Sequence, residues 1–208
     1  VERINALYAD DGVSLDFDRD VLPLSQAAVG GSVTERHLML ALARQLLKLG
    51  KASLPEHAGE LEIMLAEYDL VGLLKKDCIP RVFIPATDEC PTLSEIVRFS
   101  GEVGGILAYA YLGDVTASVT GDKKAQKFED DYLDELFEVI NHAGIRAVTY
   151  MPTRNTQTQI ERLRSLCERY GMLQISGEDI NSPRQKFVIE KMKEEQFSNL
   201  IENTWHLI

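Results

Sequence analysis

The sequence predicts an α/β fold, with helices over residues 1–90 and parallel strands joined by crossover helices over residues 91–208. Two observations carry this. In the second portion, short apolar runs bounded by glycine or proline alternate with amphipathic segments of helical length. The first portion reads as helices separated by loops, with apolar residues recurring at helical spacing.

Val1 to Ala9 reads as the tail of a helix stopped by Asp10-Asp11-Gly12, so the chain is expected to be a piece of something longer. Gly30-Gly31 punctuates the next segment. Ser32-Val-Thr-Glu35 has capping-box spacing ahead of a helix that runs to Leu49 and stops at Gly50. His37, Arg44 and Lys48 fall on one stripe of that helix. Leu54-Pro55 opens a further helix with Leu61, Met64, Leu65 and Tyr68 inward, and Asp69 to Lys76 reads as a separate short one. Thr92-Leu-Ser-Glu95 is a second capping box, and its helix ends near Gly104-Gly105. Ile106 to Leu112, Ile145 to Met151 and Met172 to Ser176 then read as buried strands. Between them lie a helix from Phe128 to Ala143, with Tyr132, Leu133, Leu136, Val139 and Ile140 inward, and another from Thr158 to Tyr170. Val188 to Ile208 is helical and carries Trp205.

The 22 basic against 33 acidic side chains leave a formal charge of −11, which argues against gripping a nucleic acid polymer or an anionic lipid surface. The longest apolar run, Leu38 to Ala43, is far short of a membrane span, and no signal-peptide pattern opens the chain. Cys78, Cys90 and Cys167 are scattered and form no CxxC pair, which fits a reduced cytoplasmic setting.

In parallel α/β folds reacting groups collect at the carboxyl ends of the strands. Three loops hold the candidates: Tyr109 to Asp114, Tyr150 to Asn155 and Gly177 to Arg184. Glu178-Asp179 with Asn181 offers either oxygen ligands for a divalent cation or an Asx-rich turn. Arg154 either grips an anionic substrate in bidentate fashion or caps the following helix region as a solvated loop residue. Tyr109 and Tyr111 share a strand face, as core residues with bonded hydroxyls or as ligands. Arg36 and His37 sit at a helix N-terminus, where an anion is favoured and an exposed stripe is equally ordinary. Lys123, Lys124 and Lys127 either guide an anion or line an exposed loop. The run Glu129-Asp130-Asp131 with Asp134 and Glu135 reads as a solvated helix face.

The order of these motifs resembles one family. Gly104-Gly105-Ile-Leu-Ala-Tyr-Ala-Tyr111-Leu-Gly113 is similar to the Gly-Gly-(apolar)-Ala-His-Pro-Gly segment of the PHP (polymerase and histidinol phosphatase) metal-dependent phosphoesterases. Leu133-Asp-Glu-Leu136 with Ala143-Gly-Ile-Arg-Ala-Val148, and Gln159-Ile-Glu-Arg-Leu163 to Leu173, follow in that family's order. Ile175-Ser-Gly-Glu-Asp179-Ile-Asn181 resembles its closing Gly-Ser-Asp-Phe-His motif, and Gly30-Gly31-Ser-Val-Thr-Glu-Arg-His37 resembles a stretch of its helical insertion.

The resemblance implies the later part of a distorted seven-stranded β/α barrel, a (β/α)7 PHP-type fold, with a helical subdomain inserted over residues 1–90. It implies divalent metals (zinc, manganese or iron) that activate a hydroxide against the phosphoester of a small substrate such as a nucleotide. By that likeness Asp179 keeps a metal-ligand position, while Tyr111 and Asn181 stand where the family has histidines. Arg36, His37 and Arg154 are expected to face the substrate phosphate, Arg36 being displaced from the family's arginine position. The family's His-x-His strand is absent, so the remaining ligands are expected from an amino-terminal segment of the same protein. The alternative is a catalytically inactive relative that binds a phosphorylated ligand or a protein partner.

Overall fold

The computed structural model describes residues 1–54, 59–86, 90–115, 125–180 and 183–207, and the chain divides into two compact units, Val1–Thr87 and Asp88–Ile208. The first is helical. α1 (Glu2–Leu7) ends in a short turn closed by Gly12 at φ 78°, a left-handed conformation that glycine adopts without steric penalty. Two side chains then hold the next segment. Asn5 Nδ2 donates to the Leu15 carbonyl at 2.8 Å, and Asn5 Oδ1 accepts from the Leu15 N–H at 2.8 Å. Gln45 brackets Ser14 in the same manner.

α2 spans Glu35–Lys48. Its cap is Thr34 paired with His37 rather than Ser32 paired with Glu35: the Thr34 N–H donates to His37 Nδ1 at 2.9 Å. Met39, Leu42 and Ala43 are fully buried. They pack in one core with Val21, Leu74 and Cys78, the last two from α3 (Glu60–Val82). The two helices expected over residues 55–76 are thus one long one, although its expected opening at Pro55 lies outside the described residues. Leu61 and Met64, expected inward, are exposed, because the contacts of α3 with this core begin only at Leu70.

The second unit starts with α4 (Leu93–Glu102), whose cap is the Thr92–Glu95 box. β1 (Ala108–Ala110), β2 (Ala147–Tyr150) and β3 (Leu173–Ser176) lie in a parallel sheet of order β1-β2-β3. Register pairs Tyr109 with Val148 and Thr149 with Ile175. α5 (Leu133–Ala143) and α6 (Gln157–Tyr170) are the crossovers, stopped by Gly144 and Gly171 in left-handed conformations. The core joins Leu133, Phe137 and Ile140 of α5, Val148 and Tyr150 of β2, and Ile160 and Leu163 of α6. α7 (Ser198–Trp205) closes over β3, with the Asn203 amide on the Gln174 carbonyl at 2.8 Å.

The seven-stranded barrel implied by the family resemblance does not form. The described residues are mostly helical, with a three-stranded parallel sheet that stays open. Closing a sheet needs strands whose number, tilt and stagger agree. Three strands of three to four residues leave β1 and β3 as edges. Among the described residues no helix is long and apolar enough to cross a membrane.

Candidate functional site

Parallel strands deliver their following loops to one edge of the sheet, so the segments after β1, β2 and β3 are neighbours by construction. The segment after β1 is built around two carboxylates. Glu129, only 3% exposed, accepts from the Leu112 N–H at 2.8 Å, the Tyr109 hydroxyl at 3.1 Å and the Gly113 N–H at 3.3 Å. Asp130 takes the Tyr111 hydroxyl at 2.5 Å, the Gln159 amide at 2.7 Å and the Asp114 N–H at 3.0 Å. Buried hydroxyls and turn N–H groups need acceptors, and these two supply them. The acidic run is therefore not wholly a solvated face: Glu129 is buried, and both carboxylates serve as internal acceptors. The signal for this is the pair of tyrosines two residues apart on one strand face, whose hydroxyls must be matched by acceptors.

Burial, with Asp130 accepting from its hydroxyl and lying beside it, raises the Tyr111 pKa far above the ordinary phenol value. Burial and the adjacent Glu129 do the same for Tyr109. Asp114 is held below the usual carboxylate range by the Lys127 ammonium and by the Phe128 N–H. Lys127 also reaches Asp131, while Lys123 and Lys124 lie outside the described residues.

The segment after β2 is pinned from inside. Buried Asn155 accepts from the Met151 N–H and donates to the Leu112 carbonyl, each at 2.8 Å, tying the second loop to the first. Arg154, beside it, lies with its guanidinium 5.4 Å from the Phe128 ring centroid. Its Nε and Nη2 are closed off from solvent and have no hydrogen-bond partner among the described residues. These two N–H groups form the planar fork that matches a carboxylate or a phosphate.

The segment after β3 begins at Gly177, where a Cβ would lie 2.9 Å from Thr149 Oγ1. Glu178 reaches back to the second loop, accepting from the Thr153 N–H at 2.7 Å and the Thr153 hydroxyl at 2.6 Å. Asp179 is exposed, and its main-chain carbonyl accepts from Gln185 at 2.9 Å. Asn181 lies outside the described residues. In the first unit His37 has its Nδ1 on the Thr34 N–H, and Arg36 is exposed.

Of the residues the sequence singled out for metal, Tyr111 has its proton on Asp130 and is 1% exposed, and Glu178 has both oxygens on Thr153. Among the described residues no group of three or more His, Cys, Asp or Glu comes close enough to hold a metal ion. The described side chains do not fit the multi-metal centre that the resemblance implied.

No protein-family model matches the chain, and no curated protein matches it. Its fold is similar to that of a proposed metal-dependent phosphoesterase from Bifidobacterium adolescentis, with a TM-score of 0.54 and 18% identity. The likeness covers 97% of this chain and 60% of that one, so the chain spans about three fifths of its structural neighbour.

Proposed function

We propose that the chain binds a small phosphorylated molecule at the carboxyl edge of its sheet, with Arg154 as the residue that meets the phosphate. The observation that supports this is the Nε–Nη2 fork of Arg154, shielded from solvent and without an acceptor among the described residues, so that an anion meets it once the atoms covering it move aside. Leaving a charged donor pair buried and unmatched costs several kcal/mol, of order 1–3 for each neutral-equivalent group and more for a charged one. An oxyanion with two oxygens in the guanidinium plane removes that cost. Phosphate is the anion favoured here because the similar fold belongs to a protein described as acting on phosphoesters. Titration calorimetry with inorganic phosphate and with a nucleoside monophosphate tests the reading. Arg154→Gln weakens binding by roughly 10- to 100-fold, the scale of a charge-assisted bidentate contact, and Arg154→Lys restores little because a lysine has no planar fork. Phosphate affinity unchanged in Arg154→Gln refutes the reading.

The fold likeness favours a second reading, metal-dependent hydrolysis of the bound phosphoester. On that reading Asp179 and Asn181 stand at the family's ligand positions, while Tyr111, whose hydroxyl donates to Asp130, does not serve as a ligand. Phosphate release from phosphomonoesters that depends on added zinc or manganese, and is lost in Asp179→Ala, selects hydrolysis. Binding without turnover under every metal selects the first reading.

A further inference from the structure

We infer that Glu178 is the positioning residue for Arg154, a role that rests on the phosphate-binding reading above and deepens it. Arg154 is flanked in sequence by two residues whose hydrogen bonds leave the loop. Asn155 is tied to Leu112 in the β1 loop, and Thr153 is tied through both its N–H and its hydroxyl to the two carboxylate oxygens of Glu178. Within the loop, the N–H groups of Arg154 and Asn155 both bond to the Met151 carbonyl, at 3.0 and 2.8 Å.

Glu178 is itself placed by the sheet. The Gly177 N–H bonds to the Tyr150 carbonyl at 2.7 Å, prolonging the β2–β3 ladder by one residue, and the glycine packs against Thr149 where no Cβ fits. The carboxylate that follows is therefore delivered from a strand end rather than from a free loop. Two charge-assisted bonds from one carboxylate to one residue fix both the position and the rotation of that residue's backbone. Arg154 is next in the chain, so its Cα position and side-chain direction are set by the same contact. The glutamate touches no ligand; it holds the residue that does.

The test is calorimetry with inorganic phosphate on the full chain, read beside thermal unfolding. Glu178→Ala is expected to weaken phosphate binding about tenfold, on the scale of one charge-assisted hydrogen bond, with little change in Tm. Glu178→Gln is expected to restore near-native affinity, because its Oε1 accepts the Thr153 N–H and its Nε2 donates to the Thr153 hydroxyl oxygen. A Gln variant as weak as the Ala variant overturns positioning through hydrogen bonds and assigns the effect to charge. Native affinity in Glu178→Ala, with affinity lost in Arg154→Gln, overturns this inference alone. Native affinity in Arg154→Gln overturns the underlying reading and this inference with it. Where Glu178→Ala fails to fold, Thr153→Val decides: it removes the hydroxyl bond and keeps the N–H bond, and it supports positioning only if phosphate binding weakens.

Discussion

Asn155→Ala removes the side chain that links the β1 and β2 loops, and its cost can be worked from the two groups it abandons. The Met151 N–H is buried and has Asn155 Oδ1 as its acceptor at 2.8 Å. Left unmatched, it costs about 1–3 kcal/mol. The Leu112 carbonyl is half-buried, and water replaces part of what the amide gave it, so about 1 kcal/mol is lost there. The sum is roughly 2–4 kcal/mol for the second unit. Urea unfolding of the full chain followed by far-ultraviolet circular dichroism reads it: with a slope of about 1–3 kcal/mol per molar, the midpoint of that unit's transition falls by about 0.7 M or more. Hydrogen exchange reports the same event locally, since the Met151 amide loses its protection. Asn155→Asp separates the two bonds, keeping an acceptor for Met151 while turning a carboxylate oxygen toward the Leu112 carbonyl. A loss under about 1 kcal/mol in Asn155→Ala, with Met151 still protected, shows that water serves both groups and refutes the reasoning.

Two further outcomes follow from the same loop. Gly113 sits at φ 70°, and a Cβ there would lie 2.8 Å from Gln159 Nε2 and 2.9 Å from both Asn155 Nδ2 and the Tyr111 hydroxyl. Gly113→Ala is therefore expected to cost about 2–4 kcal/mol from left-handed strain and crowding, lowering Tm by roughly 10 °C. Gly101→Ala in α4, where nothing lies within 4 Å, should leave Tm unchanged or slightly raised, and equal Tm values for the two variants would contradict the geometry. The raised pKa values of Tyr109 and Tyr111 mean that their stabilising effect is complete below the unfolded phenol value near 10 and is lost as pH climbs toward the folded values. In an alkaline titration followed by tyrosinate absorbance, these two of the seven tyrosines should ionise only as the protein unfolds. A single non-cooperative phase for all seven near pH 10 would dispose of the expectation.

Where the sequence was legible, local chemistry decided the structure. Thr92 and Glu95 form their capping box because both partners lie within one turn, and Gly144 and Gly171 stop α5 and α6 because a left-handed residue is needed there. β2 is readable because a central parallel strand is buried on both faces, as Ala147, Val148 and Tyr150 are, and β3, a half-buried edge strand, is readable from Gly171 and Gly177 that bound it. The cap of α2 differs from the expected one because serine, threonine and glutamate compete over the four residues 32–35, and His37 supplies an acceptor as good as the expected glutamate. The inward face of α5 was drawn too wide: Tyr132 and Val139 are exposed and Phe137 is buried, since a tight turn at Asp130–Tyr132 sets the helix phase from Leu133. The barrel is what the family resemblance implies, and the described strands cannot close one.

The candidate site was legible as a place before it was legible as a set of roles. Strand ends are predictable from periodicity, and so Arg154, Asn155 and Glu178 were all within the expected loops. Their roles depend on where lone pairs are spent, which only tertiary contacts determine. Glu129 and Asp130 spend theirs on N–H and O–H donors of the β1 loop, Asn155 spends both ends of its amide on two backbones, and Glu178 spends both oxygens on Thr153. A cation seeking these carboxylates would have to displace donors that hold the loops in place. An anion meets the opposite situation at Arg154, where two charged N–H groups are already desolvated and the residues on either side, Thr153 and Asn155, are already held. On the proposed reading, folding meets part of the cost of organising an oxyanion site, and the polarity of the unspent groups favours a negatively charged ligand.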